Sequence, residues 1–401
     1  MGEKLYCRMK SAAFILRGTA SLRDSAQMAA RRLHPQGALS DKECLEGVAG
    51  WLLHAQDANQ VGGVSAGYCL KNGWLEDYPE TSGYLIPTFL ALAKELGRQD
   101  FAERALEIGD WELATQAPSG GVPSSPLKPS TRAFNTGQVM LGLCVLWEHS
   151  QDTKFLDAAA KAGEYLLRLQ EPDGRWERDT YCGARTYHSR VAWALLRLGK
   201  LRGEERFATA ARENLAWVMS KHLGDGLFST CGFNNDIPIT HTIIYTLRGL
   251  LESKSLSPHM CQASEVDAAL DAATKRLANF AAQGCGSLPP GLLPAAFGNG
   301  WKPDSRYSCL TGDAQAAILL YRFSQESGDS AHAVAADTIV EGLKRTLLTD
   351  IQAPGARFGV AGSWPLDGAY MPFAYINWAA KFLCDALLLK LHWKEGLRIN
   401  A

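Results

Sequence analysis

The sequence predicts an all-α fold: six helical hairpins closed into a toroid, with an inner and an outer ring of helices. Three observations predict it. Helical periodicity dominates from about residue 41 to the end, and period-2 alternation is rare. Two kinds of helical segment alternate six times. One kind of glycine-bearing turn recurs at one place in the repeating unit.

The first kind of segment is amphipathic and charged. Over 153–170, Phe155, Leu156, Ala159, Ala162, Leu166 and Leu169 make one stripe, while Lys154, Asp157, Lys161, Glu164 and Arg168 face away. That is the pattern of a helix with one buried face. Similar segments lie at about 41–56, 101–116, 204–222, 264–283 and 331–349, with Asp41, Asp100, Asp152 or Thr153, and Ser330 standing where N-caps belong. The second kind is apolar nearly all round: 81–93, 136–147, 189–199, 240–251, 314–323 and 377–389. Such helices are expected to be buried among other helices. Markers at their starts are Glu80, Asn135, Tyr187, Thr240, Thr311 and Ile376, separated by 55, 52, 53, 71 and 65 residues. That spacing fits a helical hairpin with its loops. The connections from charged to apolar helix, at 62–68, 120–125, 173–179, 225–230 and 285–291, each bring glycine just past a helix end. Residues 1–40 fall outside the repeat, as an extension with one short helix near 24–33, and 41–401 form the toroid.

Composition narrows the class. The chain has 401 residues, 46% of them hydrophobic and 21% charged, which suits a globular protein with a large core. Its 41 basic and 42 acidic residues give a net charge of −1, so no global field draws it to nucleic acid or an anionic membrane. No run reads as the roughly 20 apolar residues of a membrane-spanning helix. Ten cysteines are scattered without a CxxC pair. Cys144 and Cys384 sit inside apolar helical runs, where a thiol is a small hydrophobe. That favours a reducing compartment. The apolar run at 11–16 is short and interrupted by Arg17, a poor signal-peptide core. The expected location is cytoplasmic.

The alternating helices and glycine turns over about 41–392 resemble the (α/α)6-toroid enzymes. These include unsaturated glucuronyl hydrolases, acylglucosamine epimerases, and the toroidal domains of uronate lyases and glucuronyl epimerases. The resemblance implies a carbohydrate-active enzyme. The segments DYPETSGY (77–84), FNTGQV (134–139), TYHSRVAWAL (186–195), ITHTIIYTLRGL (239–250), CLTGDAQAA (309–317) and GSWPLDGAYMPFAYINWAAKF (362–382) also resemble a group from bacterial polysaccharide-biosynthesis loci, which implies a setting and not a reaction. LQEPDGRW (169–176) resembles the Q-x-x-D-G-x-W turn of terpene cyclases and prenyltransferases, with echoes at Gln56 and Gln116. The acidic cluster those enzymes need is absent, so the motif reads as shared turn mechanics. A zinc site as in lanthionine cyclases, from Cys231, His241, Cys285 and Cys309, has no short Cys–His spacing to support it. The reading calls for no metal and no cofactor.

In a toroid the inner helices run parallel and their N-terminal ends surround one mouth. Polar residues in the first turn of each apolar segment are therefore the candidates. The first segment offers Glu80 behind Pro79, then Tyr84, with Asp77 as cap or reserve. The second offers Asn135 and Gln138. The third offers Tyr187, His188 and Arg190, a guanidinium able to hold a carboxylate in a two-pronged grip. The fourth follows Asn234, Asn235 and Asp236 and offers His241, with Tyr245 a turn on. The fifth offers Asp313. The sixth follows a loop bearing Trp364 and Tyr370 and brings Asn377, Trp378 and Lys381. Packing explains any one of these; together, carboxylates, amides, Arg and aromatics suit sugar rings.

Two mechanisms compete, and glycoside hydrolysis is the favoured one. It would pair Glu80 with Asp313, one as acid and one as base, with Asp236 or Asp77 in reserve. A lyase or epimerase would use Arg190 or Asn135 to neutralise a uronate, with His188, His241 or a tyrosine moving the proton. The expected partner is a saccharide, acidic in the second reading. A non-catalytic glycan-binding protein is the bland alternative, and terpene chemistry a remote one. A perturbed carboxyl or His at the mouth separates enzyme from binder. The sequence leaves the oligomeric state open.

Overall fold

The computed structural model describes residues 39–233, 237–258 and 262–397. The short helix expected near 24–33 lies outside them, as does Asp236. The described residues form twelve α-helices: α1 (Asp41–Asp57), α2 (Pro79–Leu96), α3 (Gln99–Thr115), α4 (Ala133–Ser150), α5 (Thr153–Leu169), α6 (Ser189–Arg202), α7 (Glu205–Met219), α8 (Thr240–Leu256), α9 (Ala263–Gln283), α10 (Leu310–Ser327), α11 (Ser330–Lys344) and α12 (Asn377–His392). The even-numbered helices pack side by side in the order α2, α4, α6, α8, α10, α12, and α12 returns to α2. The odd-numbered helices lie outside them. Burial follows the sequence pattern: α5 buries one stripe, while α4 buries every residue from Ala133 to Cys144. None of the described helices is long and apolar enough to cross a membrane.

The tight turns run from inner to outer helix, so each hairpin is inner then outer. Gly97, Gly203 and Gly328 take left-handed conformations there, and Gln151 does the same. The first outer helix, α1, packs on the last inner helix, α12, and completes the sixth hairpin. Caps differ from expectation by one or two residues. Ser40, not Asp41, caps α1 in a capping box with Glu43. Asp329 precedes and caps α11. Arg98 precedes α3, and Asp100, inside its first turn, pairs with Arg98 instead. Asp152 caps α5 as expected. Asp41 is left free to bind Lys344 and Lys390 across the closure of the ring.

Two repeated latches fix the geometry. Gln56, Gln116 and Gln170 end successive outer helices. Each turns its Nε2 onto a glycine carbonyl of its own turn and a carbonyl of the next outer helix: Gly62 and Arg104, Gly120 and Ala158, Gly174 and Ala210. The Q-x-x-D-G-x-W resemblance is this turn, and Trp176 Nε1 closes it on Leu166 O at 2.9 Å. The second latch ties three of the long loops to the inner helices they precede. Ser82 Oγ accepts from Val64 N, Thr136 Oγ1 from Val122 N, and Asp313 Oδ1 from Leu293 N.

Inner helices approach closely where side chains are missing. A Cβ on Gly142 would lie 2.1 Å from the Gly83 carbonyl oxygen on α2. Short strands, few in the sequence pattern, finish the closure. β1 (Gly67–Cys69) pairs with β2 (Gly73–Trp74) and, across the ends of the ring, with Ala374–Ile376 just before α12. Asn377 reinforces this seam, its N–H donating to Ala66 O and its Nδ2 to Ser65 O.

Candidate active site

The long loops and the first turns of the inner helices meet at one face. The basin there is a packed set of aromatic and polar side chains, most of them buried. Its lower wall is a contiguous set of rings: Phe134 against Tyr187 and Tyr245 at 5.2 Å each, Tyr245 against Phe382 at 6.2 Å, and Phe382 against Tyr84 at 5.5 Å. Phe233 bridges Tyr187 and His241, and His241 faces Tyr245 at 4.4 Å. Tyr78 and Trp378 meet edge to face, and Trp378 reaches the set through Tyr370.

Arg190 lies against this set. It is buried, stacks over Tyr245 at 4.9 Å and donates through Nε to Gln138 Oε1 at 2.7 Å. Burial lowers its pKa to about 10, which still leaves it charged at neutral pH. Its Nη2 has no partner. The Gln138 Nε2 and the His241 Nε2 are likewise buried without one, while the Tyr84 hydroxyl faces that of Tyr245. An unmet buried polar atom costs about 1–3 kcal/mol, so three in one neighbourhood mark a place meant for a ligand or water.

Glu80 opens α2 beside them. Burial raises its carboxyl to about 7, against the opposing pull of the Tyr78 hydrogen bond and of Arg190. Tyr78 and Glu80 Oε2 are 2.8 Å apart, Tyr78 and Tyr181 2.7 Å, and Tyr181 reaches Asn135 Oδ1 at 3.1 Å.

Both histidines are neutral. Burial, with the Arg190 charge, lowers His241 to about 3, and burial with Arg185 does the same for His188. Tyr370 accepts from Trp378 Nε1 at 3.0 Å and lies 2.9 Å from His241 Nδ1. When Tyr370 gives its hydrogen to Nδ1, the His241 proton is on Nε2, the unpartnered atom. His188 sits among the rings of Phe134, Tyr187 and Trp176, within the wall. Tyr187 approaches Cys182 Sγ at 3.8 Å, and burial drives its pKa upward.

The structure thus brings Glu80, Tyr84, Asn135, Gln138, Tyr187, Arg190, His241 and Tyr370 together. It places others elsewhere. Asp313 is fully buried, and its carboxylate holds the Leu293 N–H and the Ser308 hydroxyl, as the equivalent Ser82 and Thr136 hold theirs. Lys381 borders the aromatic set, over the rings of Phe382 at 4.4 Å and Tyr84 at 5.2 Å, but has Asp385 as its counter-charge, and burial lowers its pKa to about 8. Trp364 pairs through its backbone with Ser308. Asn377 serves the seam between the first and last inner helices, although its Oδ1 remains unpartnered. Asp77 accepts from Asn59. Tyr181 and Phe233 belong to the site and were not among the sequence candidates. Both sit on long loops, where no periodicity points to them. Among the described residues no three His, Cys, Asp or Glu side chains cluster as a metal site.

No family model matches the chain, and no curated protein matches it. Solved structures do. The unsaturated glucuronyl hydrolase of Bacillus sp. GL1 superposes with a TM-score of 0.68 at 14% identity, over 87% of this chain and 96% of that one. The cellobiose 2-epimerase of Bacillus thermoamylovorans gives 0.68 at 12% identity, over 86% and 97%. An unsaturated glucuronyl hydrolase specific for heparin gives 0.67 at 13%, over 90% and 99%. The chain has the (α/α)6-toroid fold. That toroid carries its polar basin where the parallel inner helices begin.

Proposed function

We propose that the protein is a carbohydrate-active enzyme whose basin takes an acidic saccharide, with Glu80 as the proton-handling group. One observation carries the reading. Three unpartnered buried nitrogens, on Arg190, Gln138 and His241, lie near a carboxyl raised to about 7. The donors suit a uronate carboxylate and sugar hydroxyls, and the aromatic wall suits the C–H faces of the ring. A carboxyl that titrates near neutrality suits acid–base work and argues against a purely binding role. The similar folds include enzymes named for glucuronyl substrates and for cellobiose.

Among the described residues the basin holds one carboxyl, since Asp313 is engaged by the loop before α10. Proton transfer at a sugar carbon, with Arg190 on the carboxylate and Glu80 and the His241 Nε2–H beside it, therefore fits better than displacement between paired carboxyls. Glycoside hydrolysis is the second reading, favoured by the likeness to unsaturated glucuronyl hydrolases. We read the location as cytoplasmic, which the free thiols of the eight described cysteines support.

The test is turnover of unsaturated and saturated uronate oligosaccharides beside neutral cellobiose. Uronate substrates are expected to react, with Glu80→Gln losing at least about a hundredfold in kcat and Arg190→Lys raising KM about tenfold or more. Deuterium from solvent entering a sugar carbon marks proton transfer, and solvent oxygen-18 in the new hydroxyl without such deuterium marks hydrolysis. Equal rates on neutral and acidic sugars would overturn the acidic reading. Full activity of Glu80→Gln would overturn the role of Glu80.

A further inference from the structure

Asn135, Tyr181 and Tyr78 form a hydrogen-bonded chain that ends on Glu80, and its polarity follows from counting hydrogens. The Asn135 Nδ2 donates to Pro123 O at 3.2 Å, which fixes the amide with Oδ1 toward Tyr181. An amide oxygen only accepts, so the Tyr181 hydroxyl donates to it. A phenol carries one hydrogen. The contact between Tyr181 and Tyr78 therefore uses the hydrogen of Tyr78. The contact between Tyr78 and Glu80 Oε2 is then left without a hydrogen unless Glu80 supplies it.

We infer that Asn135, acting through Tyr181 and Tyr78, holds Glu80 in its protonated, uncharged form, so that the Arg190 guanidinium stands in the basin without a carboxylate counter-charge and favours an anionic ligand. Asn135, Tyr181 and Tyr78 are positioning residues in this arrangement. When Glu80 does ionise, its proton passes to solvent and Tyr78 turns its hydrogen to the carboxylate. The three contacts then share two hydrogens, and one hydrogen bond is lost. The other titratable groups facing Glu80 are Arg190 from α6, Tyr84 from its own helix, Tyr187, Tyr245 from α8 and Tyr370. The tyrosines stay neutral near pH 7, because burial raises each of them. Arg190 and, once turned, the Tyr78 hydroxyl favour ionised Glu80, and burial with the lost hydrogen bond of the chain opposes them.

The protonation claim stands without a substrate; only the final clause rests on the acidic-saccharide reading. Infrared titration of the intact protein, with the carboxylic acid band assigned by its loss in Glu80→Gln, reads Glu80 directly. Tyr181→Phe frees the Tyr78 hydrogen for ionised Glu80, and the midpoint is expected to fall by about one to two pH units. Tyr78→Phe removes the donor altogether, and the midpoint is expected to stay or rise. Tyr181 is 44% exposed, so its substitution leaves the fold intact. An unchanged or raised midpoint in Tyr181→Phe, or no acid band at pH 6 in the parent protein, overturns the relay. Calorimetry with D-glucuronate tests the last clause: affinity should drop about tenfold as pH rises through the Glu80 midpoint, and at lower pH in Tyr181→Phe. A relay that holds while glucuronate fails to bind would overturn the anion clause and the acidic-saccharide reading, and leave the protonation claim standing.

Discussion

At the scale of the residue, the site is built from groups whose charge is suppressed. His188 and His241 are neutral because burial makes the imidazolium costly, and their pKa values lie near 3, below the ordinary 6.5. The unfolded chain therefore binds protons that the folded one refuses. Stability is full above about pH 6.5 and is lost as pH falls below it. Between pH 6.5 and 5 each histidine costs up to about 2 kcal/mol. Glu80 has the opposite sign: its raised pKa means that the folded state gives up stability as pH climbs from about 4.5 to 7. Urea unfolding at pH 7 and pH 5 measures the net effect. Replacing His241 by Gln is expected to flatten the loss on the acid side; an unchanged slope would show that this imidazole is protonated when folded. The residue types of the basin were legible in the sequence because first-turn polar groups interrupt apolar segments. The contact of His241 with Tyr370 was not, because Tyr370 arrives from 129 residues away.

At the scale of the element, repeated latches explain residues that looked like catalysts. Asp313 stands in the first turn of an inner helix, as a catalytic acid would. Yet it does the work of Ser82 and Thr136, capping the loop that precedes its helix. Sequence alone offered no way to choose, since both roles want an acceptor at that place. The glutamine latches lead to a prediction. Gln170→Ala strips a hydrogen bond from the Gly174 and Ala210 carbonyls and is expected to cost about 1–2 kcal/mol. Denaturant midpoints will measure it, and a neutral outcome would mean that water replaces the amide freely. Gly142→Ala should cost more, about 2–3 kcal/mol, because the added methyl meets backbone rather than a movable side chain.

At the scale of the whole molecule, the ring is closed by its ends. α12 packs on both α1 and α2, the seam strands pair Tyr68 with Tyr375, and Asp41 with Glu341 gathers Lys344 and Lys390. An open array of hairpins would fray from its termini, with the end repeats least protected. The closed ring predicts that amides of α1 and α12 exchange with solvent as slowly as those of α6 and α8. Exchange in α1 faster by a hundredfold or more would show that the seam opens on its own. Beneath the basin, Arg248, Glu252 and Arg322 form a buried ionic group; together the two arginines hold the Glu252 carboxyl down at about 2 despite its burial. Breaking such a group on one side leaves a buried charge, so Glu252→Ala is expected to destabilise by about 3–5 kcal/mol.

The sequence by itself determined the twelve described helices, the division into buried and half-buried ones, and the end of the toroid where polar groups collect. Periodicity, caps and turn residues are local properties, and they act within a few residues of where they are written. Only the tertiary structure decided which polar groups share the basin, that Asp313 holds a loop and Lys381 pairs with Asp385, and that Tyr181 completes the chain to Glu80. Those outcomes depend on distances between residues far apart in the chain. They depend as well on burial, which sets protonation and is a property of the closed ring rather than of any segment in it.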